Sequence, residues 1–102
     1  MAWQTLVTER FGGVLRITTN RPHVLNAQSR VMILELDEAF RQAADAADVR
    51  VVIVAGAGKH FSAGHDLGSA EEMADQKAHP RGPGFADELR QLAGLYLETT
   101  LR

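Results

Sequence analysis

The sequence predicts an α/β fold in which a hairpin is followed by a helix, a buried strand and C-terminal helices. Two short runs rich in Val, Ile, Leu and Thr, 5–11 and 14–19, flank Gly12-Gly13, which is the spacing of a two-residue hairpin turn. Apolar residues between 28 and 47 recur at helical spacing. The run 49–55 has the nearly continuous β-branched composition of a strand covered on both faces.

In the hairpin, side chains are expected to alternate between the core and the outside. Leu15 and Ile17 should face inward, whereas Arg16 and Thr18 should face outward. The second strand should end at Asn20-Arg21-Pro22, because proline has no N–H to donate to a sheet.

The helix between 28 and 47 is predicted to be amphipathic and structural. Asn26 or Ser29 can cap its first turn, and Asp37 and Arg41 can form an i,i+4 ion pair on its outer face. The stripe that faces the core is expected to contain Met32, Ile33, Leu36, Phe40, Ala43 and Ala47.

Beyond the strand, the pattern indicates two further helices separated by a loop. Residues 69–72, SAEE, form a capping box, so a short helix should start there. The prolines and glycines of 79–84 predict a loop, and a plain connector is favoured over a mobile flap. Helical spacing returns in 85–96 and reaches Arg102 without a terminating glycine, asparagine or proline. We therefore expect the chain to be an N-terminal portion of a longer protein.

The composition is that of an ordinary globular protein. Charged residues make up 24% and hydrophobic residues 45% of the 102 residues, which argues against disorder. The net charge of -2 gives no sign of a nucleic-acid partner. Without cysteine there can be no disulfide, thiolate metal ligand or cysteine nucleophile. The sequence has neither a signal-peptide pattern nor an apolar run of about 18 residues, so a cytoplasmic protein without a membrane partner is expected.

The segment 51–67, VVIVAGAGKHFSAGHDL, is the strongest candidate for a functional site. Its glycines follow a predicted strand, as in nucleotide-binding loops. A P-loop would need glycine at Ile53 and serine or threonine at His60, and a dinucleotide fingerprint would need glycine or alanine at Phe61. Both patterns fail.

The polar side chains of this segment are weak candidates for chemistry. His60, His65 and Asp66 carry metal-ligating atoms but lack a ligand frame, and Ser62 lacks a nucleophile elbow and an orienting acid. The simpler interpretation is a polar loop in which Ser62 bonds to nearby backbone and Asp66 secures the turn. The backbone itself remains: Gly64 lets the main chain approach a ligand, and a following N–H can stabilise a developing negative charge. The alternative is a merely structural turn.

Two motifs occur in a characteristic order and at a characteristic separation. They are N-R-P-x-x-x-N-A at 20–27 and V-V-I-V-x-G-x-G-K-x-F-S-A-G-x-D-L ending at Leu67. Together they resemble the enoyl-CoA hydratase/isomerase (crotonase) superfamily over most of 4–67, and the stretch of about 68–84 looks like its variable loop. The resemblance implies that 1–102 is the N-terminal portion of a single crotonase-like domain, an incomplete spiral of ββα turns. It also implies a homotrimer or hexamer for the full-length form.

Family members bind an acyl-CoA thioester and stabilise its enolate with two backbone N–H groups. By position, the first of these would be the N–H of His65. The family frequently has a basic residue at the position of His23, and a histidine carries only part of that charge near neutral pH. The residues that would lie along the CoA, through main-chain or packing contacts, are His23, Val24, Leu25, Ala63, Gly64, Asp66 and Leu67.

The resemblance implies a lyase of fatty acid metabolism that hydrates 2-enoyl-CoA, without a cofactor because coenzyme A is part of the substrate. In hydratases the second oxyanion donor and two acid/base glutamates lie beyond the position of Arg102, so the chain alone is expected to be inactive. Glu71, Glu72 and Glu88 are not assigned those roles, because we expect them on an exposed helical face. Another crotonase-type isomerase or hydrolase, or a non-catalytic truncated acyl-CoA-binding fragment, remain alternatives.

Overall fold

A computed structural model describes residues 3–79 of the chain. The described part contains a three-stranded sheet and two α-helices. The elements in chain order are β1 (Leu6–Phe11), β2 (Val14–Thr19), a short 3-10 helix (Pro22–Val24), α1 (Arg30–Asp45), β3 (Val51–Gly56) and α2 (Ala70–Ala78). The predicted helix at 85–96 and all but the first residue of the predicted loop 79–84 lie outside the described residues. Within 3–79, no helix is both long and apolar enough to cross a membrane.

The hairpin is confirmed. β1 and β2 pair in antiparallel register along their whole length around Gly12-Gly13, and Gly12 has a φ of 59°, which glycine adopts without steric cost. Ile17 is fully buried and Leu15 packs against the core, whereas Arg16 is exposed and Thr18 is half-buried. The predicted alternation of the second strand therefore holds.

Of the two predicted caps for α1, Ser29 is the one used. Its Oγ accepts a hydrogen bond of 3.1 Å from the N–H of Met32, which satisfies one of the free donors of the first turn. The predicted pair between Arg41 and Asp37 is present at 3.4 Å. Asp37 is only 18% exposed, so this pair lies partly under the surface and not wholly on the outer face.

The core forms where α1 packs across the hairpin. Five of the six residues of the predicted stripe are buried or partly buried in α1, whereas Ala47 lies beyond the end of the helix and is exposed. Ala39, which that stripe omitted, is also buried. The buried cluster consists of Leu6, Ile17, Met32 and Ala39, with Trp3, Leu15, Leu36 and Phe40 packed against it.

β3 pairs in parallel with β2, which confirms the β-β-α-β order, but the expected burial of β3 is wrong within 3–79. Four successive residues are 52%, 37%, 47% and 36% exposed, in the order Val51, Val52, Ile53 and Val54. A β-branched composition favours burial, but other elements have to supply the cover. α1 packs against β1 and β2, and β3 is an edge of the sheet that the described residues form.

The chain leaves β3 through a turn in which two stretches of backbone come very close together. A Cβ added at Gly56 would lie 2.7 to 2.8 Å from the backbone of His60 and Phe61, a distance at which something must shift. The residue that ends the strand is therefore glycine for reasons of space.

We predict that Gly56→Ala lowers the free energy of unfolding by about 1–3 kcal/mol, because the methyl group overpacks against backbone that cannot move aside easily. Urea unfolding followed by circular dichroism measures this change. Gly68→Ala is the matched control: its added Cβ would meet nothing within 4 Å, so a change within about 0.5 kcal/mol is expected. Equal destabilisation by the two substitutions would contradict this account.

Candidate active site

The two sequence motifs lie side by side in the structure and are joined by main-chain hydrogen bonds. The N–H of Ala63 donates to the carbonyl of Leu25 at 2.9 Å, and the N–H of Gln28 donates to the carbonyl of Gly64 at 2.6 Å. In return, the N–H of Asp66 donates to the carbonyl of Gln28 at 2.9 Å. The segment that contains the predicted oxyanion donor is thus bonded along one side to Leu25 of the first motif and to Gln28, which directly follows that motif.

This pairing sets the direction of the His65 peptide group. Gln28 and His65 form an isolated parallel bridge, in which the carbonyl of Gly64 and the N–H of Asp66 both point towards Gln28. The carbonyl of Gly64 and the N–H of His65 belong to one trans peptide group, in which the two point in opposite directions, so the N–H of His65 is directed away from Gln28.

Gly64 is required for its backbone conformation. Its φ is 96°, a region that residues with a side chain rarely adopt. A Cβ added there would meet nothing within 4 Å, so the space beside this residue is open in the described structure. The structure therefore adds a conformational reason to the prediction that glycine lets a ligand approach.

Arg21, from the first motif, joins both motifs to the start of α2. Its side chain is 4% exposed. Nη1 donates to the carbonyl of Ala27 at 2.6 Å and to Oδ2 of Asp66 at 2.9 Å. Nη2 donates to Oγ of Ser69 at 2.9 Å. Sequence reasoning used this arginine only as part of a motif and missed its structural role.

Asp66 secures the turn, as predicted. Its Oδ1 accepts hydrogen bonds from the N–H groups of Gly68 and Ser69 at 3.1 and 2.9 Å, and Oδ2 accepts from the hydroxyl of Ser69 at 2.5 Å. Burial alone would raise the pKa of this carboxyl, but the bonds from Ser69, Arg21 and Gly68 outweigh burial and lower the pKa to about 2. Both oxygens are therefore used within the chain.

Asn26 is a second residue whose role the sequence analysis missed. It is 1% exposed, and its Oδ1 accepts a hydrogen bond of 2.8 Å from the N–H of Arg21. Its Nδ2 donates to the carbonyls of Ala57 and His60 at 2.8 and 2.7 Å. With a φ of 54° it follows Leu25 at 56°, so two left-handed residues shape this turn. In the sequence, the sign of this role is that Asn26 is one of the fixed residues of the first motif.

The start of α2 is capped, but the capping box is only half formed. Ser69 Oγ accepts from the N–H of Glu72 at 3.1 Å as predicted. The side chain of Glu72 does not reach back to Ser69; its Oε1 accepts from the N–H of Arg30 at 3.1 Å instead. The expectation of an exposed position is wrong for Glu72, which is 1% exposed because α2 packs against the start of α1.

Glu71, in contrast, is exposed as expected and is paired with His23. Its Oε1 lies 2.6 Å from Nε2 of His23, and the two side chains are 54% and 56% exposed. The hydrogen bond from His23 lowers the pKa of Glu71. The imidazole of His23 is therefore already hydrogen-bonded to a neighbouring carboxylate.

The other candidate residues are mostly at the surface. Ala63 and Gly64 are exposed, Val24 is half-buried, and Leu25 and Leu67 are 48% and 81% exposed. Ser62 has the structural role expected of it, because its Oγ accepts from the N–H of Gly64 at 3.0 Å. Among residues 3–79, no three histidine or acidic side chains are grouped so that they could hold a metal ion.

Comparison with known proteins assigns this arrangement to a class. The model of the enoyl-CoA hydratase/isomerase family matches residues 9–95. The chain also resembles the crystal structure of a probable enoyl-CoA hydratase from Mycobacterium smegmatis, with a TM-score of 0.79 and 34% identity. That match covers 100% of this chain and 36% of the other one, which confirms an incomplete crotonase-like α/β fold.

The chain belongs to the enoyl-CoA hydratase/isomerase family, and its curated relatives include both kinds of enzyme. It is 48% identical over 69 residues to "Putative enoyl-CoA hydratase EchA13" of Mycobacterium tuberculosis, across 68% of this chain and 22% of that protein. It is 38% identical over 96 residues to the mitochondrial delta(3,5)-delta(2,4)-dienoyl-CoA isomerase of Homo sapiens, across 91% of this chain and 28% of the isomerase. The chain thus spans about a quarter of the length of these relatives.

We predict that ionised Asp66 stabilises the fold by about 2 kcal/mol. Its pKa falls from 3.8 to about 2 on folding, so this contribution is complete above about pH 4 and is lost as the pH falls towards 2. Urea unfolding of the wild type between pH 2 and 6 should show the loss, whereas Asp66→Asn should be less stable at pH 6 and lack this component. Asp45→Asn, at an exposed site, is the control. A profile of Asp66→Asn parallel to that of the wild type would refute the assignment.

Proposed function

We propose that the segment 63–67 binds the thioester end of an acyl-CoA and supplies one of the two backbone donors that stabilise its enolate, the N–H of His65. The observation that carries this proposal is the pairing of Gly64 and Asp66 with Gln28, which directs the intervening N–H to the other side. Membership of the family supports the substrate class.

The proposed chemistry depends on a donor that is already oriented before the substrate arrives. When a proton leaves the carbon next to a thioester carbonyl, or when water adds across a conjugated double bond, negative charge builds up on the carbonyl oxygen. A fixed N–H stabilises that charge without reorganising, and removal of such a donor costs about 2.7–4 kcal/mol in other enzymes. The hydrogen bonds on both sides of His65 supply the necessary rigidity.

The exposure and bonding of the residues that we propose to lie along the CoA support part of that assignment. Leu25 and Leu67 are exposed apolar side chains that a ligand could cover. His23 can approach a phosphate only in competition with Glu71. Asp66 can contribute only main-chain or packing contacts, because its carboxylate is bonded within the chain. Coenzyme A would enter as part of the substrate, without a separate cofactor.

Hydration of 2-enoyl-CoA is the leading reaction proposed for the whole protein. The similarity to a protein named as an enoyl-CoA hydratase supports it at 48% identity. An isomerase is the second candidate, because the human dienoyl-CoA isomerase is similar over 91% of this chain. The two reactions share the oxyanion site and differ in acid/base groups. A trimeric or hexameric full-length form, a cytoplasmic location and the absence of nucleic-acid and membrane partners stay predictions.

We predict that His65→Pro, which removes the backbone N–H, weakens the binding of an acyl-CoA thioester about three- to tenfold, the range expected for one neutral hydrogen bond. His65→Ala keeps the N–H and should bind more tightly than His65→Pro. Isothermal titration calorimetry with acetyl-CoA measures both variants, and circular dichroism verifies their fold.

A CoA thioether without the carbonyl oxygen provides the matched ligand. Its binding should be the same for His65→Pro and His65→Ala, because it offers no oxygen to the donor. If the proline variant lost thioether and thioester affinity equally, the N–H of His65 would not act on the carbonyl.

We predict that the 102-residue chain alone has little or no hydratase activity, because one oxyanion donor without an acid/base pair leaves most of the transition state unstabilised. The loss of absorbance of the conjugated double bond of a 2-enoyl-CoA measures the reaction, with a full-length hydratase of the family as the positive control. Turnover at rates typical of complete enzymes would contradict this prediction, whereas binding without turnover agrees with it.

A further inference from the structure

The backbone at Gly64 has no side chain to restrain it. A Cβ added there would meet nothing within 4 Å, and glycine rotates more freely about its backbone bonds than any other residue. Its φ of 96° therefore depends on the hydrogen bonds of the two peptide groups that flank its Cα atom.

One of these peptide groups is held by main chain and the other by a side chain. The carbonyl of Gly64, which shares a peptide group with the N–H of His65, accepts from the N–H of Gln28 at 2.6 Å. The N–H of Gly64, which belongs to the preceding peptide group, donates to Oγ of Ser62 at 3.0 Å. Because a residue has only two soft backbone angles, fixing both groups fixes the conformation of Gly64 and with it the direction of the His65 N–H.

Gln28 also contacts the hydroxyl that holds the preceding peptide group. Its Nε2 donates to Oγ of Ser62 at 3.4 Å, a long hydrogen bond, and both residues are half-buried. A serine hydroxyl can accept two hydrogen bonds, so Oγ of Ser62 links the N–H of Gly64 to the side chain of Gln28. The same glutamine thus acts on this segment through its main chain and through its side chain.

The simpler interpretation is a serine that only closes a turn. A hydroxyl that bonds to an N–H two positions later is common in turns, where its loss affects the turn alone. Here the bonded N–H belongs to the residue directly before His65, and the hydroxyl is also linked to Gln28, which orients the His65 peptide group. The turn and the proposed donor therefore share one set of bonds.

We propose that Ser62 is a positioning residue for the oxyanion donor: its hydroxyl, supported by the side chain of Gln28, keeps the N–H of His65 directed at the thioester oxygen without touching the substrate. This inference rests on the proposed function of the segment 63–67. Loss of the hydroxyl should leave the N–H in place but less well oriented, whereas His65→Pro removes it.

The first test needs no ligand. Ser62→Ala removes the hydroxyl, and Ser62→Thr keeps it. On the ¹⁵N-labelled 102-residue chain, Ser62→Ala should lower the heteronuclear NOE of the Gly64 and His65 amides, because fast backbone motion increases there. Ser62→Thr should stay closer to the wild type, and circular dichroism verifies the fold of both variants. Unchanged NOE values in Ser62→Ala would overturn the inference, whether or not the chain binds acyl-CoA.

The second test measures the effect on a carbonyl. The ratio of the affinities for acetyl-CoA and for a CoA thioether without the carbonyl oxygen isolates the bond to that oxygen. Ser62→Ala should lower this ratio about two- to fivefold, the lower part of the range for one neutral hydrogen bond, and Ser62→Thr should restore most of it. Thr8→Ala removes a hydroxyl from an exposed position of β1 and should leave the ratio unchanged.

The outcomes separate this inference from the proposed function. If the wild type prefers the thioester and Ser62→Ala keeps the same ratio, even with weaker binding of both ligands, Ser62 is merely structural and the proposed function stands. If the wild type binds the thioester and the thioether equally, the proposed function is refuted, and the assignment of Ser62 to an oxyanion donor falls with it.

Discussion

The buried ion pair between Arg21 and Asp66 is the interaction on which the rest of the site depends. Its side chains are 4% and 3% exposed, and they connect positions that are 45 residues apart in the sequence. A buried pair stabilises a fold only when its remaining polar atoms are also bonded. Here the carbonyl of Ala27 and the hydroxyl and N–H of Ser69 complete the network. The network ties both motifs to the start of α2.

Two smaller constraints complete this frame. The side chain of Asn26 bonds to the N–H of Arg21 in the first motif and to the carbonyls of Ala57 and His60 in the second. Gly56 allows the chain after β3 to return close to the strand. Together with the ion pair, they place residues 63–66 beside Leu25 and Gln28. The peptide that becomes the proposed donor is thus positioned by residues outside its own segment.

The hairpin, α1 and the start of α2 could be predicted because their signals are local: a glycine pair, a helical period and the N-cap serines Ser29 and Ser69. The exposure of β3 and the burial of Glu72 could not, since each depends on which elements pack together and not on the residues themselves. The roles of Arg21 and Asn26 could not be predicted either, because side-chain bonds between residues about 30 to 45 positions apart leave no periodic pattern in the sequence. The family motifs marked these two positions without indicating what they do.

The main-chain bonds between the two segments, from Ala63 to Leu25, from Gln28 to Gly64 and from Asp66 to Gln28, use no side-chain atom. Any residue except proline can supply the N–H that such a bond needs. Positions 63 and 65 can therefore change in evolution while this pairing persists, and divergence should be slowest at Arg21, Asn26, Gly56, Gly64 and Asp66. A scaffold with that division of roles can acquire new ligand specificity at its variable positions without rebuilding the turn that holds them.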